Sequence, residues 1–184
     1  MYRKIFLLVS CFPVLSVLGQ SGNAAGIWLD VPYVKQSEEG CGSAAIAMLL
    51  QYWNAHGAAV DDSRADSTTI QQKLYSRKAH GIFASDMERY LKDSGFRTFG
   101  FSGGWPDLRQ HLELGRPLII SLQPAGIRTR FHYVVVTGMD WQNEALFVND
   151  PARGKLLRME REEFEKEWHA TGSWMLLAVP ESSG

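Results

Sequence analysis

Cysteine is scarce in this chain, net charge is almost nil, and apolar runs long enough to cross a membrane are missing. Two cysteines occur in 184 residues, and Cys11 falls in an N-terminal stretch that reads as a targeting segment. Once that stretch is removed only Cys41 is left, so no internal disulfide can form. A lone cysteine in an exported chain points to a reactive thiol or an intermolecular bridge. The formal net charge of -1 gives no electrostatic reason to expect nucleic acid or an acidic membrane as a partner. With one cysteine surviving and no two histidines at ligand spacing, a metal site is not expected. Gly103 and Gly104 are followed by Trp105 and Pro106 with no Lys, so no phosphate-binding loop is present, and no cofactor is expected. Neither an internal repeat nor a low-complexity tract occurs. Hydrophobic content of 45% with 21% charged residues excludes general disorder. Nothing in the sequence sets an oligomeric state.

Arg3 and Lys4 precede an apolar run over residues 5–15, too short to span a bilayer comfortably. Small residues follow at 17–19 and at 23–25, either of which suits a signal peptidase. The expected division is a signal peptide over residues 1–25 and one domain over residues 26–184, exported to the periplasm or beyond, with no stable membrane insertion after cleavage. An uncleaved anchor is the alternative. Cys11 lacks the small residues that should follow it in a lipoprotein attachment site, so no lipid anchor is expected.

What is present centres on the stretch from Gln36 to Leu50. A loop ends at Gly40, and a helix starts at or beside Cys41. Its body is Ala, Ile, Met and Leu, without a charge until well past Trp53. A helix apolar on all faces is buried, which puts Cys41 at the N-terminal end of a central helix. The unpaired N–H groups and positive dipole end there favour a thiolate. The alternative, a small buried hydrophobe, sits poorly with a place between two glycines. Gln36, five positions earlier, can present an amide donor to a developing oxyanion; alone it reads as a loop residue.

Elsewhere in the first half, residues 27–34 read as an edge strand because of Pro32, and residues 61–66 as an exposed loop. Residues 69–75 read as a helix. Ser85, Asp86, Met87 and Glu88 form a capping-box pattern for a helix that stops at Gly95. Residues 96–101 read as a short strand, and Trp105 with Pro106 opens a helix ending at Gly115. His56, His80 and His111 have no evident partner and read as surface or helix residues.

The second half changes character. Strands are expected at 117–122, 132–139, 145–150, 155–159 and 173–179, the last closing the sheet, with a charged helix from Glu160 to His169 showing a solvated face. Residues 121–130 are a candidate wall of a cleft. Helices first and antiparallel strands later make an α+β layout.

Cys41 starts the buried helix, His132 starts a strand, and Asp150 ends the next strand. If those strands form a hairpin, His132 and Asp150 are neighbours at one sheet edge. Imidazole can then take the thiol proton while a carboxylate orients the ring. Alone, His132 reads as a solvated strand-end residue and Asp150, before Pro151, as a turn residue.

The set Gln36, Gly40-Cys41-Gly42-Ser43-Ala44-Ala45, His132-Tyr133-Val134-Val135-Val136-Thr137-Gly138 and Asp150-Pro151 resembles the bacteriocin-processing, double-glycine-leader peptidases and their stand-alone relatives, within the papain-like cysteine peptidase superfamily. The resemblance covers most of the mature chain. It implies a papain-like α+β fold, with an N-terminal helical half carrying the nucleophile helix against a C-terminal antiparallel sheet. It also implies Cys41 as nucleophile, His132 as general base and acid, Asp150 as ring orienter, and Gln36 with the Cys41 N–H as oxyanion donors. The substrate expected is a peptide or protein. The best-known members are fused to a membrane transporter; here a secretion signal precedes the domain, so cleavage after Gly-Gly does not carry over. A Cys-His-Asp acyltransferase or transglutaminase-like enzyme uses the same residues, and a non-catalytic peptide-binding module is a third reading.

Overall fold

The computed structural model describes residues 25–124 and 131–181. The expected signal peptide lies outside the described residues except for Ala25, and so does the 125–130 part of the candidate wall.

The helix Cys41–Ala55 (α1) is the centre of the molecule. No charged side chain occurs in its length, and Gly42 to Leu50 together with Tyr52 are buried. It ends where expected, with His56 as its C-cap and Gly57 in the left-handed region at φ 90°. Two shorter helices pack beside it. Ser67–Leu74 (α2) is capped by Asp66, whose side chain accepts the Thr69 N–H at 2.7 Å. Ala84–Asp93 (α3) departs from expectation, because it starts with Phe83 at the N-cap and takes Ser85 into its first turn. Tertiary contact overrides the local cap signal there: Gly81 bridges Ser76, and Ile82 is buried next to α1. The polar stretch before α2 also folds more than expected, into a 3-10 turn over Asp62–Ala65.

The expected strand at 27–34 is reduced to Gly26–Trp28 (β1). Beyond it the Leu29 N–H still reaches the Thr137 carbonyl at 2.7 Å, but Val31 turns its N–H back to Leu29 at 2.8 Å. The chain thus leaves the ladder before Pro32, which could not have donated to it.

The remaining strands are Phe96–Ser102 (β2), Leu118–Leu122 (β3), His132–Asp140 (β4), Ala145–Asp150 (β5), Gly154–Glu160 (β6) and Trp174–Pro180 (β7). They pair antiparallel in the order β2-β7-β3-β4-β5-β6, with β1 added on β4. β7 does not close the sheet at an edge but lies between β2 and β3. Its Met175 to Ala178 are buried, as an interior strand requires.

Helices cover both faces of this sheet. Ile119, Tyr133, Val135, Leu176 and Ala178 pack with α1, α2 and α3 on one side. Leu118, Val134, Val136 and Leu177 pack on the other side with the helices Trp105–Glu113 (α4) and Arg161–His169 (α5). That double cover explains why β3 and most of β4 read as continuous apolar runs. The layout is the expected α+β one, with α4 and α5 added on the far face. Among the described residues no helix is long and apolar enough to cross a membrane.

The β4–β5 hairpin brings two distant residues of the chain to one sheet edge. Val135 pairs with Asn149 and Val136 with Val148, then a bulge shifts the register to Gly138 and Phe147. The start of β4 therefore lies beside the end of β5. Gly138 allows β1 to approach: a Cβ there would stand 2.7 Å from the Ile27 carbonyl oxygen.

Candidate active site

Two glycines set Cys41 in place. A Cβ on Gly40 would lie 2.7 Å from Ser37 Oγ, and one on Gly42 would lie 3.2 Å from Ile82 Cβ and 3.5 Å from the Tyr133 ring. The Gln36-to-Gly40 loop can thus fold tightly against the helix start, and Ile82 can close on it. Ser43 Oγ donates to the Gly40 carbonyl at 2.9 Å and fixes that loop end.

The sheet brings His132 and Asp150 together as the hairpin predicts, with His132 Nε2 2.7 Å from Asp150 Oδ1. The Cys41 side chain lies beside the imidazole, close enough to help raise its pKa. With Nε2 directed to the carboxylate, Nδ1 is the nitrogen left for sulfur. Burial alone would lower the His132 pKa, but the Asp150 hydrogen bond, the adjacent Cys41 and the charges of both overcome it and raise the value to about 9. Burial likewise opposes ionisation of Asp150, yet His132 and the Ala152 and Arg153 N–H groups hold its carboxyl below the usual range. Next in the strand, the Tyr133 phenol is pushed up to about 12, first by burial and then by the Cys41 charge.

The turn reading and the catalytic reading of Asp150 describe one geometry. Its Oδ1 accepts the Ala152 N–H at 2.8 Å and the Arg153 N–H at 3.2 Å while it faces His132. Sequence reasoning missed the residue that aims it. Asn149 is fully buried; its Nδ2 donates to the Val31 carbonyl and its Oδ1 accepts the Leu156 N–H, both at 3.0 Å. It thereby fills the register shift between Val148 and Asp150 in the β5–β6 ladder. A buried-strand pattern interrupted by Asn was the signal in the sequence.

Gln36 stands in the same cleft. Its backbone N–H donates to the Pro151 carbonyl at 3.0 Å, and Tyr33 Oη donates to the same oxygen at 3.2 Å. The loop before Cys41 is thus tied to the turn that carries Asp150. The Gln36 Oε1 is buried and accepts no hydrogen bond among the described residues.

His80 is not the bystander it was expected to be. Its Nδ1 lies 3.1 Å from Glu39 Oε1, Tyr75 donates to the other oxygen of Glu39, and His80 and Ala79 line the cleft beside Cys41. His56 also has a partner, the Tyr52 carbonyl, at 2.7 Å. Among the described residues His111 Nδ1 is buried without a hydrogen bond; burial and then Arg116 keep its pKa low, and its ring meets Phe101 edge-on. The Glu39 and Phe101 contacts join residues well separated in the chain and leave no local pattern.

Cys41, His132, Asp150 and Gln36 all open into one hollow of about 550 Å³, whose rim carries Glu38 and Arg153. From the candidate wall, Leu122 and Pro124 line it. Among the described residues no group of three or more His, Cys, Asp or Glu gathers as a metal site.

Residues 28–175 match the model described as the Peptidase_C39 like family. The chain belongs to that family. Its fold is shared with a C39-like peptidase from Bacillus anthracis, at 19% identity and a TM-score of 0.67 over 86% of this chain and 99% of that one. A double glycine motif protease from an AMS/PCAT transporter, solved with its leader peptide, matches at 20% identity and TM-score 0.63, over 84% and 94% of the two chains. The peptidase domain of Streptococcus ComA, a bi-functional ABC transporter in a quorum sensing pathway, gives 24% identity and TM-score 0.63 over 81% and 98%. No curated protein sequence matches the chain. In this C39-like chain, as in those domains, a cysteine peptidase fold is present, and membership supports peptidase activity.

Proposed function

We propose that the chain is an exported cysteine peptidase that hydrolyses peptide bonds through a thioester on Cys41. The observation that carries this reading is the His132–Asp150 hydrogen bond in the same cleft as Cys41, which stands at the N-terminus of a buried helix. Sγ attacks the scissile carbonyl carbon, and the imidazolium of His132 passes its proton to the leaving amine. Water then attacks the thioester; His132 takes a proton from the water and returns it to sulfur. Asp150 holds the ring and stabilises its charged form. The Gln36 amide and the Cys41 N–H are the proposed donors to the oxyanion. Export is supported by the charged start and short apolar run of residues 1–25, and the proposed substrate is a peptide or protein in that compartment.

The test is digestion of a peptide library by the mature chain and its Cys41→Ala variant, with products read by mass spectrometry. Hydrolysis that disappears in the variant is expected; hydrolysis unaffected by the substitution would sink the proposal. Repeating the digestion with an added primary amine separates hydrolysis from acyl transfer, since a transferase would give the amide adduct as the main product.

A further inference from the structure

Cys41 lies on the boundary between two hollows. The larger carries His132, Asp150, Gln36 and most of the charged rim. The smaller, about 380 Å³, is walled by Ala79, Ile82, Phe83, Ala84, Phe131 and Tyr133, with His80 at its edge. Cys41, Ala79, His80 and Phe131 belong to both. The smaller hollow adjoins the start of α1, where the bare Cα of Gly42 lets Ile82 pack closely, its Cβ 3.2 Å from where a Gly42 Cβ would stand.

The direction in which a substrate lies follows from proton transfer. The leaving amine must reach the His132 imidazolium to be protonated, and His132 lines the larger hollow and not the smaller. The leaving-group side of a bound peptide therefore runs through the larger hollow, which carries the charged rim. The acyl side runs the other way from Cys41, over the smaller, apolar one. A glycine has no side chain to fill such a space. An apolar cavity of about 150 Å³ already holds a benzene ring, so this hollow has room for a bulky side chain.

Resting on the peptidase reading, we propose that the hollow walled by Ile82, Phe83, Phe131 and Tyr133 is an acyl-side specificity pocket. It selects peptides with a large aliphatic or aromatic side chain at one of the two positions before the scissile bond. Phe83 is the wall residue best placed to show this. It is exposed, and it occupies the N-cap of α3 without making a side-chain cap bond, so Phe83→Ser removes the apolar wall while putting a favoured capping residue in its place.

The experiment uses dipeptidyl chloromethyl ketones, which alkylate Cys41 without needing a leaving amine. Labelling rates are measured for Gly-Gly, Leu-Gly, Gly-Leu, Phe-Gly and Asp-Gly reagents, each divided by the iodoacetamide rate on the same protein. Leucyl or phenylalanyl reagents should label about tenfold or more faster than Gly-Gly, in line with the selectivity of an apolar pocket, and Phe83→Ser should erase most of that difference. A Gly-Gly reagent as fast as every other, in the unmodified chain, overturns the proposal whatever the variant does. Fluorescence-quenched peptides run alongside keep the two readings apart. Equal labelling with hydrolysis intact overturns the pocket alone. A clear labelling preference with no hydrolysis supports the pocket and overturns the peptidase reading alone.

Discussion

One oxygen of Asp150 lies 2.7 Å from His132 Nε2 and at the same time accepts the Ala152 and Arg153 N–H groups. The turn that ends β5 and the group that orients the imidazole are thus held by a single atom. The geometry of the ring depends on the turn being formed, and the Asp150 side chain at its start is only 5% exposed.

Two substitutions separate the roles of that oxygen. Asp150→Asn keeps an acceptor for the turn and for the ring, but removes the charge that favours imidazolium. Its kcat/KM should fall by about 10²–10⁴, with little change in urea unfolding at about pH 10, where the imidazole has already lost its charge in the unmodified chain. Asp150→Ala should lose as much activity and, in addition, about 0.5–1.5 kcal/mol of stability, because the Ala152 N–H and the His132 ring lose their acceptor while the Arg153 N–H keeps the Asp150 carbonyl. Equal stability of the two variants would refute the shared-atom account.

The pH dependence of stability follows from the two shifts. His132 is raised from 6.5 to about 9 in the folded chain, so its contribution is complete below about pH 6.5 and is lost as pH rises through about 9. Asp150 is lowered from 3.8, so its contribution is present above that value and is lost as pH falls through the lower folded value. Urea unfolding at stepped pH should show a plateau between these limits and a decline toward pH 9. In His132→Gln the decline toward pH 9 should largely vanish; an unchanged slope would mean that other groups carry it.

Cys41 alkylation reports the pair without any substrate. At pH 7 the iodoacetamide rate should fall at least about tenfold in His132→Ala, since an adjacent cationic imidazole promotes the reactive thiolate. The urea-unfolded chains should react equally. Equal rates in the folded proteins would make Cys41 a structural thiol.

Gln36→Ala tests the oxyanion role. Loss of one such donor should lower kcat by about 10²–10³, while iodoacetamide alkylation, which forms no oxyanion, stays unchanged. Parallel loss of both would instead indicate a displaced Cys41 loop, because the Gln36 backbone also holds the Pro151 carbonyl.

Asn149→Ala should be among the more destabilising single changes. It strands the buried Val31 carbonyl and the half-buried Leu156 N–H, at about 1–3 kcal/mol for the first and about 1 kcal/mol for the second, read from urea unfolding. A loss below about 1 kcal/mol would mean that water replaces both bonds.

Local pattern was enough for much of the fold. The uncharged helix from Cys41, the stop at Gly95, the Pro106 helix start and the buried run of β4 each follow from periodicity or from one residue's backbone preference. Where contacts between distant segments outweighed local preference, the reading failed. Ser85 lost the cap of α3 to Phe83 because Ile82 is buried beside α1. β1 ended at Trp28 because the chain must turn away toward the Cys41 loop. β7 took an interior place because β3, buried on both faces, needs a second partner.

The candidate site divides along the same line. Residue type and chain order alone determined that a thiol at a helix start, an imidazole at a strand start and a carboxylate at the next strand's end belong together, since a hairpin of two adjacent strands is a local inference. Only the tertiary structure decided that Nε2 faces Asp150, that Asn149 locks the bulge, that His80 reaches Glu39, and that Cys41 stands between a larger hollow with a charged rim and a smaller one walled by aromatic and aliphatic side chains. Those relations depend on segments distant in sequence, and they exist only once the sheet and the buried helix have packed against each other.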